Sequence, residues 1–276
     1  ISLTCEYHLE NDLVEAYRQV LEDPSLDPAM LAYMLTLPSE AYIAESSEVV
    51  DVKAIHYGRE SVKMAMALAL ESSFKTIYEA YDHSQAYQAN AAGIANRLLK
   101  NTSLSYVVLL GNEIYLNMAY QQFSKANNMT DSFAGLSQLV NSAKAHELNL
   151  APKALDEFYT RWQDESLVVN QWLSVQATCV LPDAVERVKS LMKHQAYDAK
   201  NPNKIRALIG GFSNANAVNF HLESGCGYTF LADQVIQLNR QNPSIAARLL
   251  TPLTKWKKYL PQNSELMRAQ LERIKA

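Results

Sequence analysis

Asn201-Pro202-Asn203-Lys204-Ile205-Arg206 and, 41 residues later, Asn242-Pro243-Ser244-Ile245-Ala246-Ala247-Arg248 decide the reading of this chain. Each is a helix start. Asn stands at the N-cap, where its side-chain oxygen can accept from an orphan backbone N–H. Pro follows at the first helical position, where its missing N–H costs nothing. Each helix then carries an Arg about a turn and a half in, beside an apolar stripe. Two cations at similar depth on two helices suggest a lined cavity.

Outward from these two starts, the composition is that of a helical protein. The 276 residues include only eight glycines and nine prolines, and no proline between Pro38 and Pro152. Good helix formers such as Ala, Leu, Gln, Lys and Glu are plentiful. With 48% apolar residues the chain has enough material for a large core and needs no staples. An all-α fold follows. Cys5, Cys179 and Cys226 are far apart, odd in number and without a CxxC pair. They read as three buried thiols in a protein of the reducing cytoplasm.

The net charge of −4 argues against phosphate-backbone binding, so no nucleic acid partner is expected. Residues 1–51 hold eleven acids and one base, Arg18, which reads as a solvated acidic rim. Lys255-Trp256-Lys257-Lys258 is too short a basic run to change this. The longest uncharged run, Ser166 to Pro182, contains Asn170, Gln171 and Gln176, so no membrane association is expected. No signal peptide is visible, and a first residue Ile1 in place of Met reads as a fragment or a processed product.

Helical segments succeed one another with short breaks. Asn11 or Asp12, Asp27-Pro28 and Pro38-Ser39 open the first three. Residues 52–80 read as one or two long helices, in which Met64-Ala65-Met66-Ala67-Leu68-Ala69-Leu70 has no polar face and is expected to be buried. Residues 85–111 and 113–126 continue the pattern. Thr130-Asp131 reads as the cap of a helix with Phe133, Leu136, Leu139 and Val140 inward. Pro152, Asp164–Ser166, Pro182, Asn201, the glycine-rich turn at 224–227, Asn242 and Asn263 punctuate the remainder. The two Asn-Pro starts fit a repeat of about 40 residues, in the range of HEAT and armadillo units. The architecture read here is an α-solenoid, an armadillo- or HEAT-like array of antiparallel helix pairs, with residues 1–276 forming a single domain.

Signatures of catalysis fail one by one. No two of His8, His56, His83, His146, His194 and His221 lie within five residues of each other. His146-Glu147-Leu148-Asn149-Leu150 begins like a zinc helix, but Leu150 stands where the second His is required. His146 reads as a helix-end residue, favoured by the negative end of the dipole. There is no G-x-S-x-G elbow and no phosphate loop. Ser224-Gly225-Cys226-Gly227 reads as a tight connection. Gly210-Gly211 reads as the C-cap of the Asn201 helix. No catalytic residue and no metal ligand is assigned.

Two arginines remain. Ile205, Leu208, Ile209 and Phe212 form a stripe at helical spacing with Arg206 at its edge, and Arg248 flanks Ile245–Leu249 in the same way. One reading has both guanidiniums facing a concave space, where a planar fork suits a carboxylate or peptide carbonyl. The other has each stem packed and each head paired to a neighbouring acid. Periodicity alone favours the second.

Longer blocks carry a resemblance. Asn201-Pro-Asn-Lys-Ile-Arg-Ala-Leu-Ile-Gly-Gly-Phe, Asn219-Phe220-His221, Gly227-Tyr228 and Asn242-Pro243 with Arg248-Leu249 resemble the C-terminal domain of the bacterial aminopeptidase N family. So do Ala126-Asn-Asn-Met-Thr-Asp131, Arg161-Trp162, Leu167-Val168, Trp172 and Gln176-Ala177. The blocks run in order along essentially the whole chain. The resemblance implies a zinc exopeptidase that removes N-terminal residues from peptides. In it an N-terminal β domain, a thermolysin-like catalytic domain and a β-sandwich precede an armadillo-like helical domain that closes over the active site. Zinc, its ligands, the general base and the oxyanion tyrosine would all belong to the missing domains, which are then this chain's partners together with peptide substrates. Arg206 and Arg248 fall on substrate-channel positions by motif. Ser244 falls where relatives carry Gln on the pocket rim, and is shorter. The resemblance further implies that the first helix or two and the last helix of the domain lie outside this chain. On this reading the fragment alone binds no zinc and is inactive. A free-standing α-solenoid scaffold with protein partners on its concave face is the alternative. An independent helical enzyme is disfavoured, because no pair of reactive groups sits at useful spacing.

Overall fold

The computed structural model describes residues 11–81 and 86–276, and among them α-helix dominates and no strand occurs. A single parallel bridge joins Val50 to Tyr259. Local chemistry sets most helix starts. Asp27 accepts from the backbone N–H of Ala29 and Met30 with Pro28 at the first helical position. Asn90, Asn112 and Ser142 cap the helices Ala91–Val107, Glu113–Lys125 and Ala143–Glu147 in the same manner.

The chain divides into two compact units. The first comprises residues 1–39 and 57–155. In it Ala91–Val107 packs against Pro28–Met34 and Glu71–Ala80, and Glu113–Lys125 pairs with Met129–Val140. Phe74 stacks on Tyr106 with ring centroids 4.2 Å apart, and the Tyr106 hydroxyl donates to the Leu35 carbonyl at 2.6 Å. Burial pushes the Tyr106 phenol well above its usual range, so it stays a neutral donor. Gly135 lets Met129–Val140 approach its neighbour, because a Cβ there would stand 2.6 Å from the Ala119 carbonyl.

The second unit comprises residues 40–56 and 156–276. Cys226–Asn239 packs against Pro243–Leu249 and Pro261–Lys275, and Ser166–Ala177 against the 206–210 segment. Phe212, Phe220, Phe230 and Tyr228 form its aromatic core, mostly edge to face.

The one or two long helices expected over 52–80 are two, Val52–Ala69 and Glu71–Ala80. Other local expectations change. Met66, Ala67 and Leu70 are fully buried, but Leu68 is 56% exposed, because a helix packed on one side turns the residue 200° from Met66 outward. The helix Met129–Val140 is capped by Asn128, two residues before the expected Thr130. Its Asp131 is instead a buried partner of Lys100. Asn263 lies inside Pro261–Lys275 and donates to the His221 carbonyl and the Tyr228 hydroxyl, so it is no break. Of the cysteines, Cys179 is buried, Cys226 is partly exposed, and Cys5 lies outside the described residues.

Candidate substrate-facing site

Both Asn-Pro starts form as read. Asn201 Oδ1 accepts from Asn203 N at 2.9 Å, and Asn242 Oδ1 from Ile245 N at 3.2 Å. Ile205, Leu208, Ile209 and Phe212 are buried, and Arg206 is exposed at the edge of that stripe. Ser244 and Arg248 are exposed on Pro243–Leu249.

The helix does not end at Gly210-Gly211. Pro202–Ile205 runs through a π-helical turn, Arg206–Gly210, into Gly211–Ala215. Both glycines have ordinary right-handed backbone. Their smallness serves packing. A Cβ on Gly211 would stand 3.4 Å from Ala177 Cβ, and one on Gly210 would stand 3.9 Å from Leu249 Cδ2. The second distance brings the two Asn-Pro helices side by side, each with an exposed Arg. A wider π turn beginning at Arg206 is a feature common at functional sites. Periodicity cannot foresee it.

Among the described residues the Arg206 head meets no acid. Nε donates to the Pro202 carbonyl at 3.3 Å and Nη2 to Asn203 Oδ1. The guanidinium is held along its own helix by uncharged acceptors, so its charge is not neutralised there. Beside it Lys204 is buried, which lowers its ammonium below the usual range despite Asp198.

Neighbouring polar residues tie this region together, and periodicity alone assigns them no role. Arg187 donates to the carbonyls of Gln176, Cys179, Leu181 and Pro182. Asn216 Nδ2 donates to Ala177 and Cys179, and Asn219 Nδ2 to Val180. Together they fix the connection after Ser166–Ala177, which includes Asp183 with φ 61°. His221 Nδ1 lies 2.8 Å from the Tyr228 hydroxyl, and its ring stacks on Tyr259 at 4.3 Å. Burial pushes His221 down to about 3, which leaves it neutral. Gly227 allows Cys226–Asn239 to begin against Phe220, since a Cβ there would collide with the Phe220 carbonyl. Gly225, at φ +67°, makes the turn before it. His146 does sit in the last turn of Ala143–Glu147, with Nε2 3.0 Å from the Val140 carbonyl. Among the described residues no three His, Cys, Asp or Glu side chains are grouped to hold a metal ion; His8 and His83 lie outside those residues.

Paired helices, with no strand among the described residues, define an all-helical domain. The chain belongs to the family described as "Domain of unknown function (DUF3458_C) ARM repeats", which matches residues 3–276. It is 36% identical over 263 residues to aminopeptidase N of Escherichia coli K12, covering 95% of this chain and 30% of that protein. It is 35% identical over 267 residues to aminopeptidase N of Caulobacter vibrioides, covering 97% and 30% respectively. The chain thus spans about a third of these relatives and corresponds to their C-terminal part. In three dimensions it superposes on Legionella pneumophila aminopeptidase A, crystallised in complex with aspartic acid, with a TM-score of 0.87. That match has 32% identity and covers 97% of this chain and 32% of the other.

Proposed function

We propose that this chain is the C-terminal helical domain, residues 1–276, of a zinc aminopeptidase that removes N-terminal residues from peptides. Its part is to wall the cavity over the active site and to contact the substrate. The observation that carries the reading is the match to aminopeptidase N along 95% of the chain at 36% identity. On this reading Arg206 and Arg248 present guanidiniums to the carboxylate or carbonyls of a peptide, and Ser244 forms part of the rim. Their exposure and the absence of an acid at the Arg206 head support that role. The side chains described here do not fit a zinc site, so zinc and the bond-breaking chemistry are assigned to the domains missing from this chain, its proposed partners. The free thiols Cys179 and Cys226 support a cytoplasmic parent.

The test compares the full-length protein with residues 1–276 on an aminoacyl chromogenic substrate. The full-length protein is expected to show chelator-sensitive turnover, and the isolated chain neither turnover nor stoichiometric zinc. Zinc-dependent turnover by the isolated chain would overturn the proposal.

A further inference from the structure

We propose that a cavity of about 510 Å³ in the first unit binds a small organic anion, a carboxylate or phosphate carried on an aromatic or apolar body. This does not depend on the peptidase reading. The cavity lies where the end of Glu71–Ala80 meets the helices Ala91–Val107, Glu113–Lys125 and Met129–Val140. Its volume is that of an ordinary small-molecule site.

The charges of the described lining residues do not cancel. Arg97, Lys100 and Lys125 face one acid, Asp131. That carboxylate is fully engaged. Oδ2 takes Lys100 Nζ at 2.5 Å and Asn128 Nδ2 at 3.1 Å, and Oδ1 takes Asn101 Nδ2 at 3.0 Å. Asp131 therefore compensates Lys100, and among the described residues Arg97 and Lys125 meet no carboxylate. Arg97 is held ready. Its Nη1 donates to the Gln88 carbonyl at 2.8 Å and its guanidinium lies 4.7 Å over the Tyr87 ring, so Nε and Nη2 remain to donate. Lys100 gives one of its three N–H groups to Asp131 and also lines the cavity.

Gln122 braces the charged wall from behind. Gln122 lines the cavity and is 4% exposed. Its Nε2 donates to Asn101 Oδ1 at 2.8 Å and to the Asp131 carbonyl at 3.0 Å, while its Oε1 is buried and accepts from no protein group. Tyr78, Tyr81 and Tyr87 supply the walls for the ligand body. A purely architectural role explains the Lys100–Asp131 pair. It does not explain why Arg97 and Lys125 line the cavity with no carboxylate to meet among the described residues.

The test is isothermal titration of the full-length protein with 4-hydroxyphenylacetate, phenyl phosphate and the neutral 4-hydroxyphenylacetamide. At least one anion is expected to bind saturably, the better of the two naming the head group, and the amide at least about tenfold more weakly. R97Q/K125Q, at partly exposed and exposed positions, is expected to keep its melting temperature and to weaken that anion about tenfold or more. Three results would each overturn the proposal: no saturable binding of either anion up to about 10 mM, equal binding of the amide, or wild-type affinity in the double variant.

Discussion

Asn203 grips the guanidinium of Arg206 from less than one turn back on the same helix, with its Oδ1 accepting from Nη2 while the Pro202 carbonyl accepts from Nε. The helix-starting motif thus also orients the cation that follows it. If Arg206 reaches substrate, Asn203→Ala in the full-length protein raises KM for peptides by about threefold to tenfold and leaves kcat nearly unchanged. In an Arg206→Ala background the same change has no further effect, because both act through one interaction. Steady-state kinetics on the four forms checks this.

Gly211 and Gly227, both helical and in the second unit, differ in what a methyl group would meet. Gly227→Ala drives a Cβ into the Phe220 backbone, which cannot rotate away, and is expected to cost about 2 kcal/mol or more. Gly211→Ala places its Cβ at ordinary packing distance from Ala177 and is expected to change stability by less than about 1 kcal/mol. Urea unfolding midpoints separate the two.

Lys100 and Asp131 form a buried pair whose side chains are each 7% exposed. Lys100→Met leaves the carboxylate without its cation and is expected to destabilise by about 3–5 kcal/mol. Adding Asp131→Leu removes the stranded charge and recovers part of that loss. A double-mutant cycle by chemical denaturation gives the coupling.

His221 makes stability fall in acid. Its native imidazole stays neutral down to about pH 3, whereas the unfolded chain takes up a proton near 6.5. The unfolded state therefore binds more protons between these values. Stability is full above pH 6.5 and declines as the pH drops toward about 3. His221→Gln is expected to flatten this decline by up to about 1.4 kcal/mol per pH unit, whatever its effect at neutral pH. Unfolding midpoints across that pH range test it.

What could be read in advance was local. The caps of Asn201 and Asn242 depend on residues two or three positions on, and the stripe Ile205–Leu208–Ile209–Phe212 on a 3.6-residue period; both formed. What could not be read was tertiary. Gly210 and Gly211 look like a helix end in one dimension, and only Leu249 and Ala177 reveal them as packing surfaces. Asp131 looks like a cap, and its true partner Lys100 lies 31 residues away. The bonds of Asn216 to Ala177 and Cys179 cross 39 and 37 residues, a separation at which no periodic pattern operates. The exposed arginines belong to both kinds. Their helices were legible, while the π turn at Arg206 and its uncharged acceptors were not.

The central claim is that this domain contacts the substrate of a peptidase whose reacting groups lie elsewhere. The most direct test is kcat/KM of the full-length protein on di-, tri- and tetrapeptides, comparing wild type with R206A/R248A. Both arginines are exposed, so folding is expected to change by less than about 0.5 kcal/mol. The account predicts a loss of about tenfold or more in kcat/KM that varies with peptide length, with zinc content unchanged. Wild-type kcat/KM at every length would contradict it.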